Sequence, residues 1–450
     1  MSSLLEKLAD FCIENTIEKI PVEVKLCAVN ALADYVAVTM AGAHSVVAQN
    51  CLSYIKQRQY FGHSKLFAQN ISAEPELAAL FNGCASHALD FDDVSWATIG
   101  HPTVAVAPVV FALTQDRNLS GADALNAYVV GVEVMHQIAR WTMPTLSENG
   151  WHTTPVYGVF GATASACVLL GMSKEQTANA LAIAASRASG IRANFGTQTK
   201  ALHAGLCAMS GIECARLAMS GITGHHDAID ACDGFAQCFA KEANFQSMNT
   251  TLGSYWDLKE NGLVFKQYPC CSGSHPTNDV WDDFVKQHQL TENDVLRIEA
   301  GVSLLGPREL NCHNPQNAIQ AKFSLEYAIA SRLVFGPINL DSFIDEKVLD
   351  YRIQNLMRRI DVKIDPELAK LGFIGTAPIR MKVFLKNGSV HHLANDLAQG
   401  NPEKPLTQDQ FHQKFISCLS TTSKKGEAER WWDSLRNIEN LSPKEFQSLG

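Results

Sequence analysis

The sequence is short of charge. Asp, Glu, Lys and Arg make up 18% of its 450 residues, whereas apolar residues reach 46%, a balance that argues against disorder and for a globular chain with a large interior. Positive charge is scarcer still: 37 Lys and Arg against 46 Asp and Glu leave a net charge of −9. No Lys/Arg run offsets this, so no nucleic-acid partner is expected. Familiar cofactor and nucleophile motifs are missing too. No G-x-G-x-x-G follows a strand-like run, and neither G-x-x-x-x-G-K-[ST] nor G-x-S-x-G occurs, which weakens dinucleotide, P-loop and serine-hydrolase readings. The 13 cysteines contain no C-x-x-C pair. Scattered reduced thiols fit a reducing compartment, and a cytoplasmic location is expected. Cys270, Cys271 and His275 lack the usual zinc spacing, and the Asp90, Asp92, Asp93 cluster has no phosphate loop to share a magnesium ion with. Neither metal nor cofactor is expected.

A membrane span is not expected either. PVYGVFGATASACVLLGM, from Pro155 to Met172, is free of charge over 18 residues, but its Gly, Ala, Ser and Thr suit a helix buried against close neighbours. At the N-terminus, Glu6, Lys7, Asp10 and Glu14 interrupt the apolar pattern, which reads as an amphipathic helix and not a signal peptide.

What is present is mostly helical. Ala-rich apolar segments divided by short turn signals run through about residue 260. Pro21 opens a helix to Gly42, Ser120 caps one through about Arg140, Ser173 with Gln176 forms a capping box, and Lys200 to Gly221 adds another. After about residue 265 strand-like runs appear at Val295 to Leu305, Arg358 to Asp365 and Ile379 to Leu393. Asn387-Gly388 inside the last is a hairpin signal. Helical pattern returns at Thr407, whose capping-box partner is Gln410. The expected fold is mainly α: a large all-helical domain formed by residues 1–265 and 401–450, with a smaller α+β lid domain inserted at 266–400 and a cleft between them.

Chemistry-bearing residues gather at the edges of these apolar helices. HALDFDDVSWATIGHP, residues 87–102, sets three carboxylates ahead of His101. GWHTTPVYG holds His152, FGTQTKALHAG holds Thr199, Lys200 and His203, VFKQYPCCSGSHP holds Lys266, Cys271 and His275, and QAKFSLEYA holds Lys322 and Tyr327. Singly, His152 reads as a core histidine, Lys266 as a surface charge and Tyr327 as a packed aromatic. Together they would be costly coincidences. Lys200 and His203 share one helix face beside a first turn rich in N–H groups, which is the physics of an anion site. A carboxylate-bearing metabolite suits it.

As a set, DFDDVSWATIGHP, GWHTTPVYGVFGA, GTQTKALHAG, KQYPCCSGSHP and AKFSLEY resemble the MmgE/PrpD family, from about residue 5 to about residue 440. The resemblance implies a helical domain with an α+β lid, usually a homodimer, and cofactor-independent chemistry on a small di- or tricarboxylate. It places functional groups at Asp90, His101, His152, Lys200 and Lys266, with Tyr327 a further match and His275 matching a histidine later in its segment; Thr199 and His203, from the anion-site argument, and Cys271 join them as candidate substrate contacts. Val94 and Cys271 depart from the family's decarboxylase branch, which has threonine and histidine there. The activity expected is a 2-methylcitrate dehydratase-like hydro-lyase. The alternatives are an iminodisuccinate epimerase-like isomerase, a cis-aconitate decarboxylase-like lyase, and a non-catalytic carboxylate binder. In each enzymatic case His101 or His152 moves a proton next to a carboxylate, and Asp90 orients the histidine. Asp92 and Asp93 are expected to face solvent or cap the loop.

Overall fold

A computed structural model of the protein describes residues 3–58, 61–240, 251–372 and 375–450. It is mainly α, 58% helix and 9% strand. The helices that matter below are α1 (Leu4–Glu14), α2 (Val22–Gly42), α3 (Val46–Lys56), α4 (Pro75–His87), α5 (Pro102–Arg117) and α6 (Gly121–Thr142). They continue with α7 (Thr153–Leu170), α8 (Lys174–Arg187), α9 (Gln198–Met219), α10 (His275–His288), α11 (Leu325–Phe335), α12 (Tyr351–Met357) and α13 (Gln408–Ser420). The strands are β1 (Ser64–Lys65), β2 (Ser72–Ala73), β3 (Val295–Val302), β4 (Ile360–Ile364), β5 (Ile379–Leu385) and β6 (Val390–Asn395).

Contacts divide the chain into two compact units. One comprises Met1–Ala193, Thr199–Leu263 and Thr407–Gly450; the other comprises Asn194–Gln198 and Val264–Leu406.

The first unit is helical because its segments start cleanly and bury nearly all round. Capping boxes open α1 (Ser3 with Glu6), α6 (Ser120 with Asp123), α8 (Ser173 with Gln176) and α13 (Thr407 with Gln410), each satisfying N–H groups the first turn leaves unpaired. In α5, every residue from Pro102 to Gln115 is buried. The charge-free α7 packs against α5, α6 and α8, so its apolar surface meets protein; by length and composition α2 and α7 would each be long enough to cross a membrane. Glycine sets the spacing of two crossings. A Cβ on Gly131 of α6 would lie 2.7 Å from the Gly161 carbonyl of α7, and one on Gly205 of α9 would lie 2.2 Å from the Leu80 carbonyl of α4. Both are closer than any side chain tolerates. The β1/β2 ribbon has no counterpart in the sequence pattern, since two paired residues per strand are too few to show a period.

The second unit is built on a four-stranded sheet of order β4-β3-β5-β6. β3 pairs with β4 in parallel, and β5 lies antiparallel to both β3 and β6. Ile379, Met381, Val383 and Leu385 of β5 alternate inward, as one buried face requires. They join a core with Trp281 and Phe284 of α10, Tyr327 and Ile329 of α11, and Ile353 and Leu356 of α12. The β5–β6 hairpin closes through Lys386, Asn387 and Gly388, with Leu385 N–H donating to Ser389 O at 2.9 Å. Gly388 takes φ +89°, the three-residue loop with a left-handed glycine, so the hairpin signal is realised one residue longer than the two-residue turn. β3 ends at Val302, short of Leu305, because the chain turns into a helical turn at Gly306.

Candidate functional site

Four helix ends supply the polar groups of the helical unit. His87 is the last residue of α4, His101 is the residue ahead of α5, His152 is the residue ahead of α7, and Thr199, Lys200 and His203 occupy the first two turns of α9. Three of these are N-terminal ends, where N–H groups and the helix dipole favour anions. Local bonds hold the joins. His101 N–H donates to Thr154 Oγ1 at 3.0 Å and Thr153 Oγ1 donates to Ile99 O at 2.5 Å, so α7's first turn grips the entry to α5. His152 N–H donates to Gly190 O at 3.0 Å.

Asp92 is the hub. Its carboxylate lies 3.0 Å from His87 Nδ1 and 2.8 Å from His101 Nδ1. An ionised carboxylate only accepts, so His87 presents Nδ1–H to it in a hydrogen bond, and His101 Nδ1 stands beside it at ion-pair distance. That corrects two expectations. Asp92 is the carboxylate found against His101 Nδ1, where Asp90 was expected to orient that histidine. Asp92 and Asp93 are each 1% exposed, so neither faces solvent. Asp90 instead receives Lys200 Nζ at 2.5 Å, with both side chains buried. Asp93 accepts from Thr103 Oγ1, which in turn takes a bond from Tyr128 Oη at 2.6 Å. His152 and His203 complete the group: their Nδ1 atoms are 3.0 Å apart, and the His152 ring stacks on His87 at 6.0 Å between centroids. Thr199 lies within the first turn of α9, half-buried, where it was expected just ahead of the helix.

The electrostatics sort these groups. Burial, opposed by Asp92 and aided by Lys200 and His101, pushes His87 down to about 3. Burial and then Lys200 push His203 down to about 4, and hold His152 well below its ordinary value. A bond between two Nδ1 atoms needs a proton on one and none on the other, so a neutral pair fits the geometry. Burial works against the charge of Asp92, yet the His87 and His101 imidazoles hold it well below the carboxylate range. Asp93 is the opposite case. Burial raises it well above that range, Thr103 opposes, and Asp34 and Asp92 add to the rise.

His87, Asp90, Asp92 and His101 have ligand atoms within 4.8 Å of one another, a spacing that would suit a divalent ion. The residues favour another arrangement. Lys200 supplies the cation at Asp90, and the His87 and His101 imidazoles fill the Asp92 side.

Lys266, Cys271, His275 and Tyr327 belong to the α+β unit. Cys271 precedes a 3-10 turn, Ser272–Ser274, that leads into His275, the first residue of α10; Cys271 N–H donates to Lys322 O at 3.0 Å and His275 Nε2 donates to Cys270 O at 3.2 Å. Lys266 is fully buried, which removes its surface-charge reading. Tyr327 packs on Phe343 and donates its hydroxyl to Ser342 O within the unit's core. This position matches its reading as a packed aromatic and gives its hydroxyl a partner inside the fold. Sequence reasoning missed His87 and Asp92 as partners of His101. The signal was there, in HALDFDD, but helix spacing cannot show a pairing made after α4 has ended.

Two comparisons with known proteins complete the description. Residues 6–248 match the MmgE/PrpD N-terminal domain and residues 268–440 match the MmgE/PrpD C-terminal domain. The chain is similar to cis-aconitate decarboxylase of Homo sapiens, 29% identical over 84% of this chain and 82% of that one. It is similar to the enzyme of the same name from Mus musculus, 30% identical over 84% and 81%, and to that of Aspergillus terreus, 23% identical over 82% and 79%. With both domain matches spanning most of its length and the motifs falling inside them, the chain belongs to the MmgE/PrpD family.

Proposed function

We propose that the protein is a lyase that takes a small polycarboxylate through a carbanion-like state, with decarboxylation of cis-aconitate as its first candidate reaction. One observation carries the reading: the Asp92 carboxylate stands 2.8 Å from His101 Nδ1, which leaves Nε2 as the atom that exchanges a proton, in one cluster with Asp90, whose partner is a buried lysine at a helix N-terminus. The similarity to cis-aconitate decarboxylases supports the same substrate class.

In this reading Lys200 and the first turn of α9 take a substrate carboxylate, so the charge left on carbon is spread toward fixed positive groups in a water-poor site. The carbon–carboxylate bond breaks, carbon dioxide leaves without the electron pair, and that pair is delocalised into the remaining conjugated acid. His101, protonated on Nε2 and balanced by Asp92, then delivers a proton to carbon. The neutral His152–His203 pair contributes hydrogen bonds without adding charge.

A second reading is dehydration of a hydroxy acid such as 2-methylcitrate. Val94 and Cys271, which stand where the decarboxylase branch has threonine and histidine, weigh against the first reading and keep this one open. His101 Nε2 would then remove the carbon-bound proton while a protonated group assists the departing hydroxyl.

Incubation with cis-aconitate, 2-methylcitrate, citrate and iminodisuccinate in deuterated water, followed by NMR, separates these. Carbon dioxide release supports decarboxylation; an alkene from 2-methylcitrate, or hydration of cis-aconitate, supports the hydro-lyase. Deuterium exchange without net product points to an epimerase, and silence with all four points to a binding role. For the productive substrate, His101→Ala lowers kcat by about 10²–10⁴-fold. Normal turnover by that variant would remove His101 from the chemistry.

A further inference from the structure

Lys414 on α13 is separated from Phe91 by 323 positions, yet donates from Nζ to the Phe91 carbonyl at 2.8 Å. The ammonium also pairs with Asp34 of α2 at 2.6 Å and stands 4.1 Å from the centre of the Phe91 ring. Lys414 is 7% exposed and Asp34 is 2% exposed. Phe91 lies between the two carboxylates that organise the site, Asp90 on Lys200 and Asp92 on the imidazoles.

Stability alone is a weak reason for a buried ion pair, because well-packed apolar residues often serve as well. What an apolar residue cannot supply is a charge-assisted donor aimed at one carbonyl. The loop needs such a hold. Asp90 adopts φ +52°, a left-handed conformation that a non-glycine residue keeps when its surroundings impose it.

We propose that Lys414 is a positioning residue: from the C-terminal return of the chain it pins the backbone between Asp90 and Asp92, keeping one carboxylate on Lys200 and the other on His101. The proposal rests on the reading of Asp92 and His101 as the proton-transfer pair.

The test is the double variant Asp34→Leu/Lys414→Met, which removes both charges together. Three measurements are made: the unfolding midpoint, kcat and KM with cis-aconitate, and the Nδ1–H resonance of His101 in protein labelled with ¹⁵N-histidine. The variant is expected to fold, to hold KM within about two-fold, and to lose about 10²-fold in kcat, the scale of a small misplacement at a reacting group. The His101 resonance shifts or broadens, and Lys414→Arg, which keeps a charged donor, restores it. A folded double variant with an unmoved resonance overturns the proposal. If the wild type does not turn over cis-aconitate, the functional reading fails while the resonance still decides the positioning role. If the double variant does not fold, Lys414→Gln is judged by the same resonance; loss of folding there too assigns Lys414 to core stability and overturns the proposal.

Discussion

Asp92 stands against two histidines that approach from different helix ends, one at the close of α4 and one at the entry to α5. A side-chain amide in place of this carboxylate would offer one carbonyl to two N–H donors and turn its own amide protons on the other. Asp92→Asn is therefore expected to keep the fold, measured by an unchanged circular dichroism spectrum, and to lower kcat by about 10²–10⁴-fold through a misplaced His101 tautomer. A variant with wild-type kcat would show that His101 needs no carboxylate. Metal removal is a second residue-scale test. Because Lys200 already neutralises Asp90, dialysis against EDTA is expected to leave turnover unchanged; activity lost on chelation and regained with magnesium or zinc would assign the four clustered residues to an ion. At this scale the residue types were legible and their partners were not. His101, His152, Lys200, His203 and Asp90 could be named from motif edges, but whether Asp90 or Asp92 meets the imidazole depends on which way the loop turns at Asp90. Tyr327 carries the same lesson, for its hydroxyl could equally meet a substrate or the Ser342 carbonyl until the core around it is seen.

Elements bring these residues to their places, and glycine decides how closely. α4 ends in His87 and α9 begins with Lys200 and His203, and the two helices touch backbone to backbone at Gly83 and Gly205, where a Cβ on Gly83 would lie 2.8 Å from the Gly205 Cα. Gly205→Ala must push these helices apart. The expected cost is about 1–3 kcal/mol of stability, the usual scale of overpacking, read as a lower denaturation midpoint. Turnover should fall as well, since the same shift carries Lys200 and His203 away from Asp90 and His152. A variant that loses stability and keeps kcat would show that the site tolerates the displacement. Helix starts were the most readable elements, because a capping box is a local hydrogen-bond arrangement four residues long; Ser173 with Gln176 and Thr407 with Gln410 form as their residue types dictate. The Gly83–Gly205 crossing had no such local mark, since small residues show that helices can come close without showing which ones do.

On the scale of the whole molecule, stability should vary with pH in a way traceable to single groups. Glu133 is fully buried, and its carboxylate accepts N–H bonds from Asp257 and Leu258 at 2.9 and 3.0 Å. Burial, partly offset by those bonds, pushes it up from 4.5 to about 8. The folded state then keeps a proton the unfolded chain has released, so its contribution is full below pH 4.5 and is lost as pH rises toward 8. Glu133→Gln cannot lose that proton. Its stability relative to wild type should climb between pH 4.5 and pH 8 in denaturant titrations, and a difference independent of pH would refute the assignment. The histidines act in the other direction: with His203 lowered from 6.5 to about 4, its contribution is present above pH 6.5 and lost as pH falls through 4. Composition, periodicity and capping chemistry, all properties of short stretches, were enough to determine a mainly helical chain with a strand-bearing segment, and they named candidate site residues among helix-edge histidines, lysines and aspartates. The tertiary structure alone decided that Asp92 serves two imidazoles, that Lys200 answers Asp90, and that a lysine from the C-terminal return holds the loop between them. Two of those contacts, Lys200 with Asp90 and Lys414 with Phe91, join residues 110 and 323 positions apart, and the free energy that selects one such pairing over another comes from burial and packing that exist once the chain has folded.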